Sequence, residues 1–284
     1  LNDFVGIEIV IHLAAKGVIT SPDQCHIAYI HTPMRYAWDQ MNIYLKNSNL
    51  SKLGFGPIIR YFLYHLRTWD YISSQRIDYL IANSSFTAKR IKKYWGRQST
   101  VIFPPVNVNR FNCNKNRGDY YLSVCRLVPN KRVDLLVKAF NKLKYPLIII
   151  GDGLEKNYLK KIKGKNIRIL GFQSDKVIQT MMEQCRAFVY AGTEDFGIAP
   201  VEAMAAGAPV IGLEKGGLID TVRCINKEKN NSTGVFFKST KIDEICQCIE
   251  WFEDKRIWKR FNPNELNRWA SKFNEENFSI QQLS

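Results

Sequence analysis

Two carboxylates, Glu194 and Glu202, flank Phe196-Gly197-Ile198 in the stretch TEDFGIAPVEAMAAGAPVI, residues 193–211. Two acidic groups at such a spacing can serve as an acid/base pair on a glycosidic bond, and a retaining glycosidase would hold them about 5 to 5.5 Å apart. The residues around them point instead to a ligand cradle. FVY just upstream reads as a strand, Pro200 suits the first turn of a helix, and Gly207 with Pro209 closes it. The Phe-Gly-Ile turn then lies between the carboxyl end of a strand and a helix N-terminus, where open α/β sheets bind ligands and unpaired N–H groups attract anions. Glu202 is expected in the first helical turn with its carboxylate tilted back toward that crevice, able to accept hydrogen bonds from a diol such as ribose. Glu194, ahead of the turn, reaches another part of the same ligand. The plainer alternative is that Glu202 complements the helix dipole and Glu194 is solvated. Gly197, which permits close backbone approach, and the small Ala203, Ala205, Ala206 and Gly207 favour the cradle.

A second constellation is CRLVPNKRVD, residues 125–134. Arg126 is expected to end a strand and Lys131 to open the next helix. Two cations at the carboxyl edge of a sheet form a clamp for a diphosphate, the guanidinium gripping two oxygens and the ammonium acting as a point charge. The chain contains no Asp-x-Asp, so these cations are expected to neutralise phosphate charge in place of a metal. Gly151 and Gly153 flank Asp152 after the apolar run LIII; Lys156 stands where a dinucleotide fingerprint needs its third glycine, which leaves a tight turn and a nucleotide contact as equal readings.

The elements that must position these groups are visible as an alternation. From residue 119, DYYLSVCRL, YPLIIIGDG, NIRILGF, AFVYAG and APVIGL read as strands. KRVDLLVKAFNKL, LEKNYLKKIK, DKVIQTMMEQC and PVEAMAA read as the helices between them, giving a parallel sheet covered on both faces. Before residue 117 only HIAYI, IDYLIA and STVIFP are convincing strands, with IEIVIH a weaker one. That is too few for a second doubly wound domain. The boundary is expected in the polar stretch 107–119. SSFTAKRIKKYWGR reads as a helix capped by Ser84 or Ser85, with Ala88, Ile91 and Trp95 inward and its basic residues mostly facing water. The aromatic, basic helix spanning 56–72 is expected to pack into a core, with a membrane surface as the lesser alternative.

Composition sets outer bounds. A chain of 284 residues with 45% hydrophobic content can bury two moderate cores. Its net charge of +15 and pI near 9.5 call for an anionic partner or reflect a Lys-rich composition alone. The seven cysteines are scattered, with no Cys-x2-Cys pair, and read as reduced thiols of a cytoplasmic protein without structural zinc. No apolar run reaches the ~18 residues of a membrane span, and no nucleic-acid module is recognisable.

The set R-x4-K, GDG and EDFGIAPVE followed by AMAAGAPVI closely resembles the retaining glycosyltransferases of family 4, which have the GT-B fold. YIHTPMRYAWD, RIDYLIANSSFTAKRIKKYWGR and VIFPPVNVNRF are similar to the bacterial mannosyltransferases that build O-antigen and related polysaccharides. The resemblance implies an α/β protein of two Rossmann-like domains facing a cleft. Residues 1–116 would be a partial, acceptor-side first domain with its linker, lacking an early strand and a glycine-rich loop before Leu1. Residues 117–262 would be the nucleotide-sugar domain, and 263–284 the helix that crosses back.

The resemblance also assigns roles. Arg126 and Lys131 would neutralise the donor diphosphate, with Gly151 and Gly153 beside it. Glu202 would hold the ribose, and Glu194 with the backbone of Phe196, Gly197 and Ile198 would grip the hexose. His31 would face the sugar across the cleft as a catalytic residue, with Arg35 and Tyr36 as further substrate contacts. The implied substrates are a nucleotide-sugar donor, GDP-mannose before UDP-glucose or UDP-GlcNAc, and a glycan or lipid-linked glycan acceptor. No metal or other cofactor and no nucleic acid is expected. The expected location is the cytoplasm, with peripheral contact at an anionic inner membrane face. A sugar-nucleotide epimerase and an inactive scaffold are the rival readings.

Overall fold

The computed structural model describes residues 17–42, 45, 54–113, 117–228 and 231–283. The chain divides between Phe103 and Pro104 into two units. In the first, β1 (Ile27–Ile30), β2 (Tyr79–Ala82) and β3 (Thr100–Val101) form a parallel sheet in the order β1-β2-β3. The weaker strand expected in IEIVIH lies outside the described residues. Between these strands lie α1 (Gly56–Ser74) and α2 (Ser85–Trp95).

The start of α2 follows the expectation from sequence: the Thr87 N–H donates to Ser84 Oγ at 3.0 Å, so Ser84 is the cap. Ile91 and Trp95 are buried against Ala28, Ile30 and Leu80, with Ala88 packed on that core. One of its basic residues does not face water. Arg90 is buried and donates to Thr32 Oγ1, to the Pro33 carbonyl at 3.4 Å and to Asp39 at 3.0 Å, fastening the segment that follows β1.

Contrary to expectation, the aromatic residues of α1 do not enter a core. Asp70, Ser73 and Ser74 are its buried residues, while Tyr61, Phe62, Tyr64, Tyr71 and Ile72 are exposed. The reason is polar: Asp70 Oδ2 accepts hydrogen bonds from Trp38 Nε1 at 2.8 Å and Trp95 Nε1 at 2.7 Å, which fixes the small, polar face inward.

The second unit holds a six-stranded parallel sheet in the order β6-β5-β4-β7-β8-β9, built from β4 (Tyr121–Val124), β5 (Leu147–Ile150), β6 (Ile167–Gly171), β7 (Ala187–Tyr190), β8 (Val210–Leu213) and β9 (Gly234–Phe237). β9 is an edge strand beyond the five expected. Between the strands run α3 (Val133–Leu143), α4 (Lys156–Ile162), α5 (Asp175–Gln184), α6 (Ile198–Ala205) and the short α7 (Leu218–Thr221). Then come α8 (Ile242–Asp254), α9 (Pro263–Ala270) and α10 (Glu275–Leu283). LIII and AFVY are buried along their whole length, as strands covered on both faces must be.

The chain builds outward from β4 to β6, then returns to β7 and builds the other way. The β4–β7 junction is therefore the topological switch point, where such sheets leave a crevice at their carboxyl ends. These two strands pair only through Tyr121–Ala187 and Leu122–Phe188, so their carboxyl ends are released from each other.

The boundary falls earlier than the polar stretch 107–119 because residues 104–111 pack onto the second unit. The Val106 N–H donates to the Phe273 carbonyl at 2.8 Å, and Gln179 donates to the Arg110 carbonyl. Residues 263–283 group with this second unit too. Asn267 donates to the Ala205 carbonyl and Trp269 Nε1 to that of Thr221, both at 2.7 Å, holding α9 against α6 and α7.

Candidate functional site

Three loops leave the carboxyl ends of β4, β5 and β7 and bring most of the second-unit candidates together. After β4 the backbone forms a short 3-10 turn, Pro129–Lys131, and Arg132 takes a left-handed conformation before α3 begins. Lys131 therefore closes a turn rather than opening the helix, because Pro129 starts the turn and Arg132 interrupts it. After β7 the chain passes through Glu194 to Gly197, whose φ of 100° is the left-handed geometry that glycine tolerates. That bend starts α6 at Ile198, earlier than expected. Glu202 consequently sits beyond the first turn of α6.

Lys131 Nζ and Tyr190 Oη both donate to Glu194 Oε1. Lys131 and Glu194 are each about one-fifth exposed, so this ion pair is largely withdrawn from water. The Glu194 carbonyl accepts from the Gly217 N–H at 2.9 Å, which ties the loop after β8 to the same point. Lys131 is thus not a free cation, unlike Arg126, which is exposed and has no ion-pair partner among the described residues.

Arg126 borders a crevice of about 260 Å³ with Cys125, Gly151, Asp152, Phe172 and Gln173. The side chain of Phe172 is 83% exposed at its rim, and burial pushes the Cys125 thiol up to about 12, leaving it protonated. A Cβ on Gly151 would lie 1.8 Å from the Cys125 carbonyl oxygen, and one on Gly153 2.4 Å from that of Leu127. The two glycines are therefore required by backbone packing on the loop after β4, the tight-turn reading of GDG. Phe196 is buried edge-on against Phe273, centroids 5.6 Å apart, while Ile198 is exposed at the first position of α6.

The two glutamates do not share a partner. Glu202 accepts from Arg110 Nη2 at 2.6 Å. Burial raises the carboxyl of Glu202 above the ordinary range, Arg110 pulls it back, and Asp175 adds a smaller upward push. Arg110 in turn lies over the Phe111 ring at 4.6 Å. Neither Arg110 nor Tyr190 stands out in the sequence. Arg110 sits in a polar stretch remote in sequence from Glu202, and Tyr190 reads as one more residue of a buried strand.

In the first unit, His31, Arg35 and Tyr36 occupy the segment after β1. His31 is exposed and edge-on to Tyr29, centroids 5.3 Å apart, and its carbonyl accepts from Thr87 Oγ1 at 3.2 Å. Arg35 and Tyr36 are half-buried, and Tyr36 Oη contacts Met34 Sδ at 3.5 Å.

The family model for glycosyl transferases group 1 matches residues 107–272, more than half of the chain and a span holding the Arg110–Glu202 and Lys131–Glu194 ion pairs. The chain belongs to the glycosyl transferases group 1. The uncharacterized glycosyltransferase MJ1178 of Methanocaldococcus jannaschii is 33% identical over 165 residues, 54% of this chain and 46% of that protein. The alpha-1,3/1,6-mannosyltransferase ALG2 of Candida glabrata is 25% identical over 243 residues, 66% of this chain and 52% of its own. The chain spans about half the length of these group 1 relatives.

Anabaena Alr3699/HepE, solved in complex with UDP and glucose, superposes with a TM-score of 0.68 over 90% of this chain and 69% of its own, at 18% identity. At that identity it shows the fold alone: α/β, with parallel Rossmann-like sheets of the GT-B kind.

Proposed function

We propose that the chain transfers mannose from GDP-mannose to a polysaccharide or lipid-linked glycan, with retention at the anomeric carbon and without a metal. The mannose assignment leans on the relatives named as mannosyltransferases and on the motifs of the first unit. Breaking the bond from the anomeric carbon to phosphate leaves positive charge on the sugar and negative charge on the diphosphate. Arg126, Lys131 and the N–H groups opening α6 answer the second by preorganised electrostatics. The observation that carries this is the Lys131–Glu194–Tyr190 cluster at the switch point. An arriving diphosphate takes Lys131, and the released Glu194 carboxylate turns to the hexose hydroxyls. Glu202, held by Arg110, accepts from the ribose hydroxyls. The departing phosphate oxygen takes the acceptor's proton on the same face as the attack, so no second carboxylate is needed. His31 contributes to the sugar's surroundings from the first unit, and Arg35 and Tyr36 to substrate contacts.

Supplying GDP-mannose, UDP-glucose and UDP-GlcNAc with a polyprenyl-diphosphate-linked glycan, and measuring released nucleotide and product anomer, tests this. GDP release with an α-mannoside, persisting in EDTA, is expected. Turnover of a UDP-sugar alone sinks the mannose assignment. An isomerised sugar nucleotide without glycoside indicates an epimerase, and donor binding without turnover an inactive scaffold. Glu194→Ala should lower kcat at least ~100-fold with folding kept, and Glu202→Ala should chiefly raise the donor KM. Normal turnover of both variants would refute the site.

A further inference from the structure

Residues 31–39, which carry His31, Arg35 and Tyr36, form neither strand nor helix. Within this segment the Ala37 and Trp38 N–H groups donate to the Met34 carbonyl, both at 3.1 Å, closing a turn. The carbonyls of His31, Pro33 and Ala37 are answered by side chains of the two helices instead: Thr87 Oγ1 at 3.2 Å, Arg90 Nη2 at 3.4 Å and Arg67 Nη1 at 3.3 Å. Trp38 is held as well, stacked on Tyr94 with centroids 4.8 Å apart and donating to Asp70. A stretch without regular structure is thereby pinned along its whole length.

The grip is concentrated next to His31. Ile30 and Ala82 pair in register, so α2, which follows β2, begins beside the carboxyl end of β1. Thr87 and Arg90 stand three apart, share one helix face and are both buried. Thr87 holds the His31 carbonyl. Arg90 holds the next two residues through Thr32 Oγ1 and the Pro33 carbonyl, and its ion pair with Asp39 at 3.0 Å ties down the far end of the segment. The Arg90 side chain is 6% exposed, with the Phe86 and Tyr94 ring centroids 5.7 and 5.8 Å from its guanidinium. Burying a guanidinium costs desolvation that an apolar residue would avoid. What it supplies is geometry, since a rigid fork of donors spans a hydroxyl, a carbonyl and a carboxylate that an ammonium cannot reach together. Thr32, Pro33 and Asp39 all belong to the one segment, and the side chain at its head, His31, is exposed. We infer that Arg90, with Thr87, is a positioning residue for His31, fixing the backbone on which the imidazole stands before any substrate arrives. This rests on the reading of His31 as part of the sugar's surroundings, and every group in it lies in the first unit.

Imidazole carbon–proton NMR spectra of the full chain, with the His31 signal identified by its loss in His31→Ala, read this placement directly and need no turnover. The Tyr29 ring, edge-on at 5.3 Å, displaces that signal from the position of a free histidine. Arg90→Lys keeps a charge facing Asp39 but cannot span the three acceptors, and Thr87→Val removes one donor. Each should keep its circular dichroism and shift the His31 signal, Thr87→Ser should restore it, and the signal of His65 on α1 should stay in place. If Arg90→Lys fails to fold, the Thr87 pair decides. With GDP-mannose and a polyprenyl-diphosphate-linked glycan, Arg90→Lys should lower kcat ~10- to 100-fold and leave the donor KM within about two-fold. In a His31→Ala background it should cost less than about two-fold more, because its effect passes through a group already removed. A His31 signal unmoved by Arg90→Lys and Thr87→Val overturns the inference. So does the full loss from Arg90→Lys repeated in the His31→Ala background, or normal turnover of Arg90→Lys where His31→Ala is impaired. Turnover of His31→Ala equal to that of the unaltered chain refutes instead the role of His31 in transfer, and the signal shift then decides the positioning by itself.

Discussion

Burial pushes the Glu202 carboxyl upward, and Arg110 is the group that opposes this. Removing the guanidinium leaves desolvation unopposed, so the Glu202 carboxyl keeps its proton to higher pH. Arg110→Ala should therefore move the acid limb of GDP binding to higher pH and weaken binding about ten-fold near pH 6. Arg110→Lys should restore most of it, as titration calorimetry across pH would read. If Glu202 does not touch the ribose, neither variant shifts that limb. The sequence marks Glu194, Glu202 and Lys131 because their neighbours are strand ends, a Phe-Gly turn and small helical residues. It does not mark their partners. Nothing local links Arg110 to Glu202 or Tyr190 to Glu194, since each contact exists only once the sheet has set the loops side by side.

The elements themselves follow from patterns that burial enforces. Runs such as LIII and AFVY, buried on both faces, leave no alternation and are legible as central strands. The edge strand GVFF is short and follows a polar stretch, so it carries little signal. Helix α1 departs from the core packing its pattern predicts for a different reason: spacing reveals that a face exists, but not whether a competing polar face has the stronger anchor. Here Asp70 with its two tryptophan donors prevails. Helix ends show a comparable device. Arg117 donates to the carbonyls of Met182, Glu183 and Cys185 near the end of α5 and to those of Ala206 and Gly207 after α6, serving both C-termini with one side chain. Arg117→Met should cost ~3 kcal/mol of stability by orphaning these acceptors. Chemical denaturation would measure it, and a loss below about 1 kcal/mol would show the carbonyls find other partners.

At the level of the whole molecule, the second unit holds the six-stranded sheet and the Arg110–Glu202 and Lys131–Glu194 ion pairs. Residues 104–284 alone should then unfold in one cooperative transition and bind GDP within about three-fold of the full chain's affinity. A non-cooperative melt, or loss of GDP binding from a folded fragment, would mean the first unit completes the nucleotide site. The loops of this unit meet through main chain: Gly192 backs onto the Asn130 and Lys131 carbonyls, and Gly216 and Gly217 onto those of Glu194, Asp195 and Phe196. Where loops are fitted carbonyl against glycine, their spacing is independent of which side chains stand at the tips. Side chains at those tips can then be exchanged without re-laying the ground beneath them, which gives this architecture room to diverge in what its loops present while the loops themselves stay put.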